Sequence, residues 1–204
     1  MAQVGPGYRP PQGQYCRSRG LEQKLQGKFD QIIATWGEAR PLRLMFQDEA
    51  RFGRISDTRY CWCRRPARPL VSAMVTQQYT YAYGAVSPRD GRFDSLILPQ
   101  VNSRCMQIFF DEIVNRYPDD NVVMVLDGAG WHKSNDFHLL DNLRLPFLPP
   151  YSPEQNPQEH LWDALREKYF HNRVFDSIDA LEDHLVVALR DLENSPKRVK
   201  SIAA

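Results

Sequence analysis

The chain has 204 residues, 42% hydrophobic and 25% charged, which suits one globular domain with a sizeable core and leaves little room for a second. No run approaches the roughly 18 to 20 consecutive apolar residues of a membrane span, and the start MAQVGPGYRPPQG lacks a charged stretch followed by an apolar one. The four cysteines, Cys16, Cys61, Cys63 and Cys105, have no framework spacing, so the expectation is a soluble, cytoplasmic chain with no disulfides and no membrane partner. Net charge is +1, with 26 Lys+Arg against 25 Asp+Glu, so the molecule as a whole carries no strong polyanion signature.

Residues 1–20 are rich in glycine, proline and arginine without an apolar period and read as a flexible arm; residues 21–204 read as the folded domain. From Leu21 to Trp36 the apolar positions Leu21, Leu25, Phe29, Ile32, Ile33 and Trp36 recur at helical spacing, which predicts one packed helix ending before Gly37. LRLMFQDE, residues 42–49, predicts a buried strand whose end delivers Asp48. An arginine-rich connection follows. Arg51, Arg54, Arg59, Arg64, Arg65 and Arg68 stand against the lone acid Asp57, a surplus that could neutralise phosphates, although charge alone favours a solvated arginine-rich hairpin.

A short strand is predicted near Tyr60 to Cys63, then strands over 77–87 and 92–100 joined by the turn Pro88-Arg-Asp-Gly91, giving an antiparallel meander. Residues 102–116 carry Met106, Phe109, Phe110 and Ile113 at helical spacing, and NVVMVLD, residues 121–127, predicts a second buried strand ending in aspartate. Ser134 to Leu140 reads as a short helix, Leu143 to Leu148 as a short strand, 157–170 as a longer helix and Ser177 to Leu192 as a final amphipathic helix. The order implies an α/β architecture, a mixed sheet with helices around it.

Two buried strands thus each end on an aspartate, Asp48 and Asp127. A helix opening at Asn156-Pro157-Gln158-Glu159 offers a third acid in its first turn. Three acids in one place repel unless a divalent cation neutralises them, and hard oxygen ligands select Mg²⁺ or Mn²⁺. Two such ions about 3.5–4 Å apart support in-line phosphoryl displacement, the chemistry of nucleases and strand transfer. Each acid also has a structural reading. An aspartate after a strand is often a turn former, and Asn-Pro-Gln-Glu has the form of a capping box with glutamate at N3. A carboxylate has lone pairs for both roles. Glu154, in a Ser-Pro-Glu turn before the cap, is expected in solvent, so Glu159 is the better third acid.

FQDEARFG (46–53), VLDGAGWHKS (125–134) and LPPYSPEQNPQEHLWDALREK (148–168) together resemble the catalytic domain of bacterial insertion-sequence transposases related to the Tc-mariner superfamily, in the family's order and over about Leu21 to Leu192. The resemblance implies an RNase H-like fold and a DDE triad of Asp48, Asp127 and Glu159, which would also be the metal ligands. It further implies cleavage of transposon ends with Mg²⁺ or Mn²⁺, two ions, and attack of the freed 3′ hydroxyl on target DNA, commonly at TA. A homodimer assembled on DNA in the cytoplasm, at the bacterial nucleoid, follows from the need to hold two ends. Where the family typically carries asparagine after the second aspartate, this chain has Gly128. Full-length relatives carry helix-turn-helix modules ahead of the catalytic domain, whereas here the arm and one helix precede Asp48. That difference implies a truncated copy, one frame of a split gene, or an excised domain.

Further candidate DNA contacts are Arg51, Arg54, His132, Lys133 and Arg166, with His132 open to reading as an ordinary surface histidine and Arg166 as an ion-pair partner of Asp163. Cys61-Trp62-Cys63 lacks a second ligand pair nearby and is not read as a zinc site. Tyr60, Trp62, Tyr79, Tyr81 and Tyr83 alternate along strands, mostly as sheet packing, though aromatics beside arginines also stack on bases. Two rival functions stand beside a transposase: a catalytically retired fragment that regulates by binding DNA or full-length transposase, and another RNase H-like nuclease. The proline-rich YSPEQNPQE block favours the transposase.

Overall fold

Apolar alternation in LRLMFQDEARFG makes a longer strand than its apolar start suggests. β1 (Leu42–Gly53) continues past Asp48 because Ala50 and Phe52 keep the period of two and stay buried, so Asp48 lies within the strand rather than at its end. The computed structural model describes residues 27, 31–32, 34–36, 40–54, 78–127, 137–148 and 156–203. The chain divides into two compact units, Met1–Ala39 and Arg40–Ala204. In the first, the described residues Gly27, Gln31, Ile32, Ala34, Thr35 and Trp36 are helical, within the predicted helix, and the Thr35 hydroxyl donates to Ile32 O at 2.6 Å.

In the second unit, β2 (Tyr79–Ser87) pairs antiparallel with both β1 and β3 (Arg92–Leu98). The turn between β2 and β3 needs Gly91, whose φ of 73° is left-handed and whose missing Cβ would lie 2.0 Å from Pro196 O. β4 (Asn121–Val125) and then β5 (Leu143–Arg144) add in parallel, giving the order β3-β2-β1-β4-β5. The predicted strand 143–148 shrinks to β5 and a single bridge from Leu126 to Phe147, since Pro146 has no N–H to continue a ladder.

Helix α1 (Ser103–Arg116) is started by Asn102, whose side chain accepts from Cys105 N at 2.8 Å, and it covers one face of the sheet. Its Met106, Phe109, Phe110 and Ile113 pack with Met45, Tyr83, Val122 and Met124. The other face carries α2 (Pro157–Leu165), α3 (Ile178–Glu193) and α4 (Pro196–Ile202), whose Trp162, Leu185 and Val199 pack with Phe52, Ala82, Val86 and Phe93. The result is three layers with the sheet in the middle.

The predicted helix 157–170 is not α-helical throughout: it widens into a π turn over Arg166–Phe170, where Phe170 stacks 4.8 Å from Phe52 and the Tyr169 hydroxyl donates to Asp191. α4 was not expected, because SPKRVKSI buries little beyond Val199. In the predicted helix from Ser134, residues 137–140 are not helical and 134–136 lie outside the described residues, as does the predicted strand near Tyr60. Among the described residues no helix is long and apolar enough to cross a membrane.

Candidate active site

The period of two along β1 decides which face each side chain serves. Met45 enters the core under α1, whereas Phe46, Ala50 and Phe52 pack with the C-terminal helices, so Asp48 faces α2. On β4, Val122, Met124 and Leu126 belong to the α1 core, and the alternation carries Asp127 to the same face as Asp48. The parallel register runs from Leu42↔Asn121 to Phe46↔Val125. Asp48 stands two residues past Phe46 in β1, and Asp127 two residues past Val125, half-buried just beyond β4.

The third acid arrives on α2. Asn156, buried at the N-cap, accepts from Gln158 N at 3.1 Å, while its Nδ2 donates to Gln47 O at 3.2 Å. The helix can sit this low because the cross-strand partner of Asp48 is Gly84. A Cβ at Gly84 would lie 2.5 Å from Gln158 Nε2 and 2.8 Å from the Trp162 ring. Capping is done by Asn156 through Gln158, and Glu159, in the first turn, is exposed, so the expected reciprocal bond of a capping box is not what orders it.

The electrostatics tie the three acids together. The Asp48 carboxyl is pushed up from 3.8 to about 8, first by burial, then by the charge of Glu159, then by Glu49, with a smaller push from Asp127; a hydrogen bond from the Glu49 backbone opposes the rise. Glu49 itself alternates to the α1 face, where its Oε1 accepts from Gln47 Nε2 at 2.7 Å. The donor set is all oxygen, which fits a hard divalent cation in chemistry. In geometry it is unfinished, because among the described residues no three His, Cys, Asp or Glu side chains stand close enough to hold a metal ion. The charges of Glu159 and Asp127 nonetheless reach the Asp48 carboxyl.

The remaining predicted residues separate. Arg51 is exposed near the end of β1, its guanidinium 4.5 Å from the Tyr79 ring centroid. Arg54 corrects the expectation of a DNA contact: it is buried, and its guanidinium donates to Phe175 O at 3.0 Å, to Gln78 Oε1 at 2.8 Å and to Asp176 O, so it ties the chain together. Arg166 makes the ion pair weighed for it, with Asp163 at 3.9 Å, and its guanidinium lies 5.5 Å from the Phe52 ring centroid, on the α2 side. Tyr83 is core, 5.8 Å from the Phe109 ring. His132, Lys133, Gly128, Glu154, Tyr60 and Cys61-Trp62-Cys63 lie outside the described residues. Sequence reasoning read Asn156 only as a cap and passed over Gly84. A glycine inside YTYAYGAVS was the available signal, since a strand glycine often marks a close approach.

A family model described as DDE superfamily endonuclease matches residues 43–182, more than half of the chain. The chain is 39% identical over 126 residues to the uncharacterized protein y4pE/y4sA of Sinorhizobium fredii (strain NBRC 101917 / NGR234), a match covering 61% of this chain and 93% of that protein. Among solved structures it is similar to the Mos1 transposase paired-end complex with left transposon end, with a TM-score of 0.58 at 14% identity, and to the Mos1 mariner paired end complex with Mn, with 0.58 at 16%. Both alignments cover all of this chain and 66% and 64% of those chains, so the chain spans just under two thirds of their length. The mixed sheet with helices on both faces is accordingly RNase H-like, as the three sequence blocks implied. By its family match this chain belongs to the DDE superfamily of endonucleases, and it carries the fold of the Tc-mariner-related transposases.

Proposed function

We propose that this domain is a metal-dependent DNA phosphoryl transferase that cleaves transposon ends and joins them to target DNA, with Asp48, Asp127 and Glu159 as its metal-holding catalytic residues. One observation carries the reading. Asp48 lies in β1, Asp127 just past the neighbouring parallel strand and Glu159 in the first turn of a capped helix, and burial first, then the charge of Glu159 with a smaller push from Asp127, raises the Asp48 carboxyl to about 8. An acid cluster of this kind has little use without a cation. A bound Mg²⁺ or Mn²⁺, and two when fully loaded, would supply countercharge and Lewis acidity for in-line displacement at phosphorus.

The chain's own groups do the rest. Asp48 comes from within β1 and Asp127 from just past the neighbouring parallel strand β4. Glu159 comes from the start of a helix, the end whose dipole favours anionic phosphate nearby. Arg166, on the α2 side, is proposed to neutralise the DNA backbone beside the acids, and His132 and Lys133 are proposed for the same task; exposed Arg51 alternates to the α1 face with Glu49 and would meet DNA only past the end of β1. The mariner structures that share the fold are complexes with transposon ends, one of them with Mn and another with Mg. Extending this to the present chain gives transposon ends and a TA target as the DNA partners, and a homodimer when two ends are held.

Crystals soaked in Mn²⁺ should give an anomalous peak against Asp48 and Asp127 with Glu159 alongside. Asp48→Ala, Asp127→Ala and Glu159→Ala should each abolish DNA cleavage with the circular dichroism spectrum unchanged, and Glu154→Ala should leave it intact. With no peak on DNA-free or DNA-bound protein, and the carboxylates apart in both, the transferase reading falls and a regulator that binds DNA or full-length transposase takes its place.

A further inference from the structure

We infer that Asn156 is a positioning residue for the carboxylate site, its carboxamide fixing the helix that carries Glu159 against the strand that carries Asp48. The inference rests on the metal-dependent function proposed above. Asn156 is 4% exposed, and both ends of its side chain are engaged: Nδ2 donates to Gln47 O at 3.2 Å and Oδ1 accepts from Gln158 N at 3.1 Å. Each bond ends one residue from a proposed ligand, since Gln47 precedes Asp48 and Gln158 precedes Glu159.

Both partners need Asn156. The pairing of β1 with β4 stops at Phe46, and the next carbonyl along β1, that of Gln47, is taken by Asn156. The first N–H groups of α2 have no partners within the helix, and Asn156 satisfies one of them. Gln158, although fully buried, has neither carboxamide atom hydrogen-bonded among the described residues, so it does not duplicate the tie. Glu159 is exposed, so its place relative to Asp48 is inherited from the helix start rather than from packing of its own side chain. Few side chains could replace this one. Serine caps as well as asparagine and threonine somewhat less well, but both are shorter, and one hydroxyl proton cannot serve a carbonyl across the gap; aspartate caps but has no donor.

The test separates cap from tie. Mn²⁺ alone is titrated into wild type, Asn156→Ser, Asn156→Thr, Glu159→Gln and Asp48→Asn, with free ion read by electron paramagnetic resonance at 25 °C and each variant melted separately. Because serine and threonine keep the cap, both variants should melt within about 4 °C of wild type, the cost of roughly one hydrogen bond in a domain this size. They should nonetheless lose about tenfold or more in Mn²⁺ affinity, the usual consequence of removing a group that orients a metal ligand. If Glu159→Gln loses affinity but both Asn156 variants bind as wild type does, Asn156 is only a cap and the inference is overturned while the proposed function stands. If Glu159→Gln and Asp48→Asn also bind as wild type does, the proposed function itself fails. Should the serine variant not fold, the threonine variant decides.

Discussion

Asp48 is held in a state it would not choose in water. Its carboxyl sits near 8 because burial and the charges of Glu159 and Glu49 all disfavour ionisation. A carboxyl raised in the folded state stabilises the fold fully below the unfolded value of about 3.8 and loses that contribution as pH rises toward 8, since over this interval the folded chain retains a proton that the unfolded chain has released. Asp48→Asn removes the group that must ionise. The metal-free variant should therefore match wild type near pH 4 and melt progressively higher than wild type from there to pH 8, as thermal melts across that range will show; a constant difference would contradict it. The acids themselves were legible in the sequence because an aspartate beside a buried strand and a glutamate at helix position N3 are local signals. Arg54 was not legible. Composition counts an arginine in a basic run as exposed, and only the tertiary fold brings the Phe175 and Asp176 carbonyls to meet it.

Helix α2 owes its depth to a missing side chain. Gly84 lies opposite Asp48, and any Cβ there would press into Gln158 and Trp162. Gly84→Ala should cost about 1–3 kcal/mol by urea denaturation, as overpacking in a dense core does, and should weaken Mn²⁺ binding by moving the start of α2 off the sheet. A variant as stable as wild type that binds the ion equally well would show that α2 does not depend on this contact. β1, β2, β3, α1, β4 and α3 could be read from periodicity to within a few residues because each buries a regular apolar set. The π turn at Arg166–Phe170 and the short α4 could not. The first is set by Phe170 reaching Phe52 and by Asp191, which receives Tyr169, Lys168 at 3.1 Å and Arg198 at 2.5 Å. The second is held by its seat on the β2–β3 turn.

The sheet separates the molecule into a face for chemistry and a face for stability. On the α1 face, buried Asp94 accepts from Arg116 at 2.8 Å and from the Tyr117 hydroxyl at 2.6 Å, and Arg43 lies 4.1 Å from the Tyr117 ring centroid while pairing with Asp120 at 2.5 Å and Asp90 at 2.8 Å. Asp94→Ala should lower stability by about 1.5–3 kcal/mol, because it strips a charged acceptor from the half-buried Tyr117 hydroxyl and from the more exposed Arg116 guanidinium. Mn²⁺ affinity below the melting range should not change, since the carboxylates stand on the opposite face; a parallel loss would mean the two faces are coupled. The same architecture governs the connection from β1 to β2. Gly53 pairs with Tyr79, Arg54 N donates to Gln78 O at 3.3 Å, and the Arg54 side chain bonds Gln78 again, so the stem of this excursion is shut at its base. A shut stem makes the length strung beyond it nearly free, since each doubling of a flexible connection costs only about 0.6 kcal/mol. Because Arg54 and Gln78 hold the ends of β1 and β2 together, insertions between them should leave Asp48 where it is.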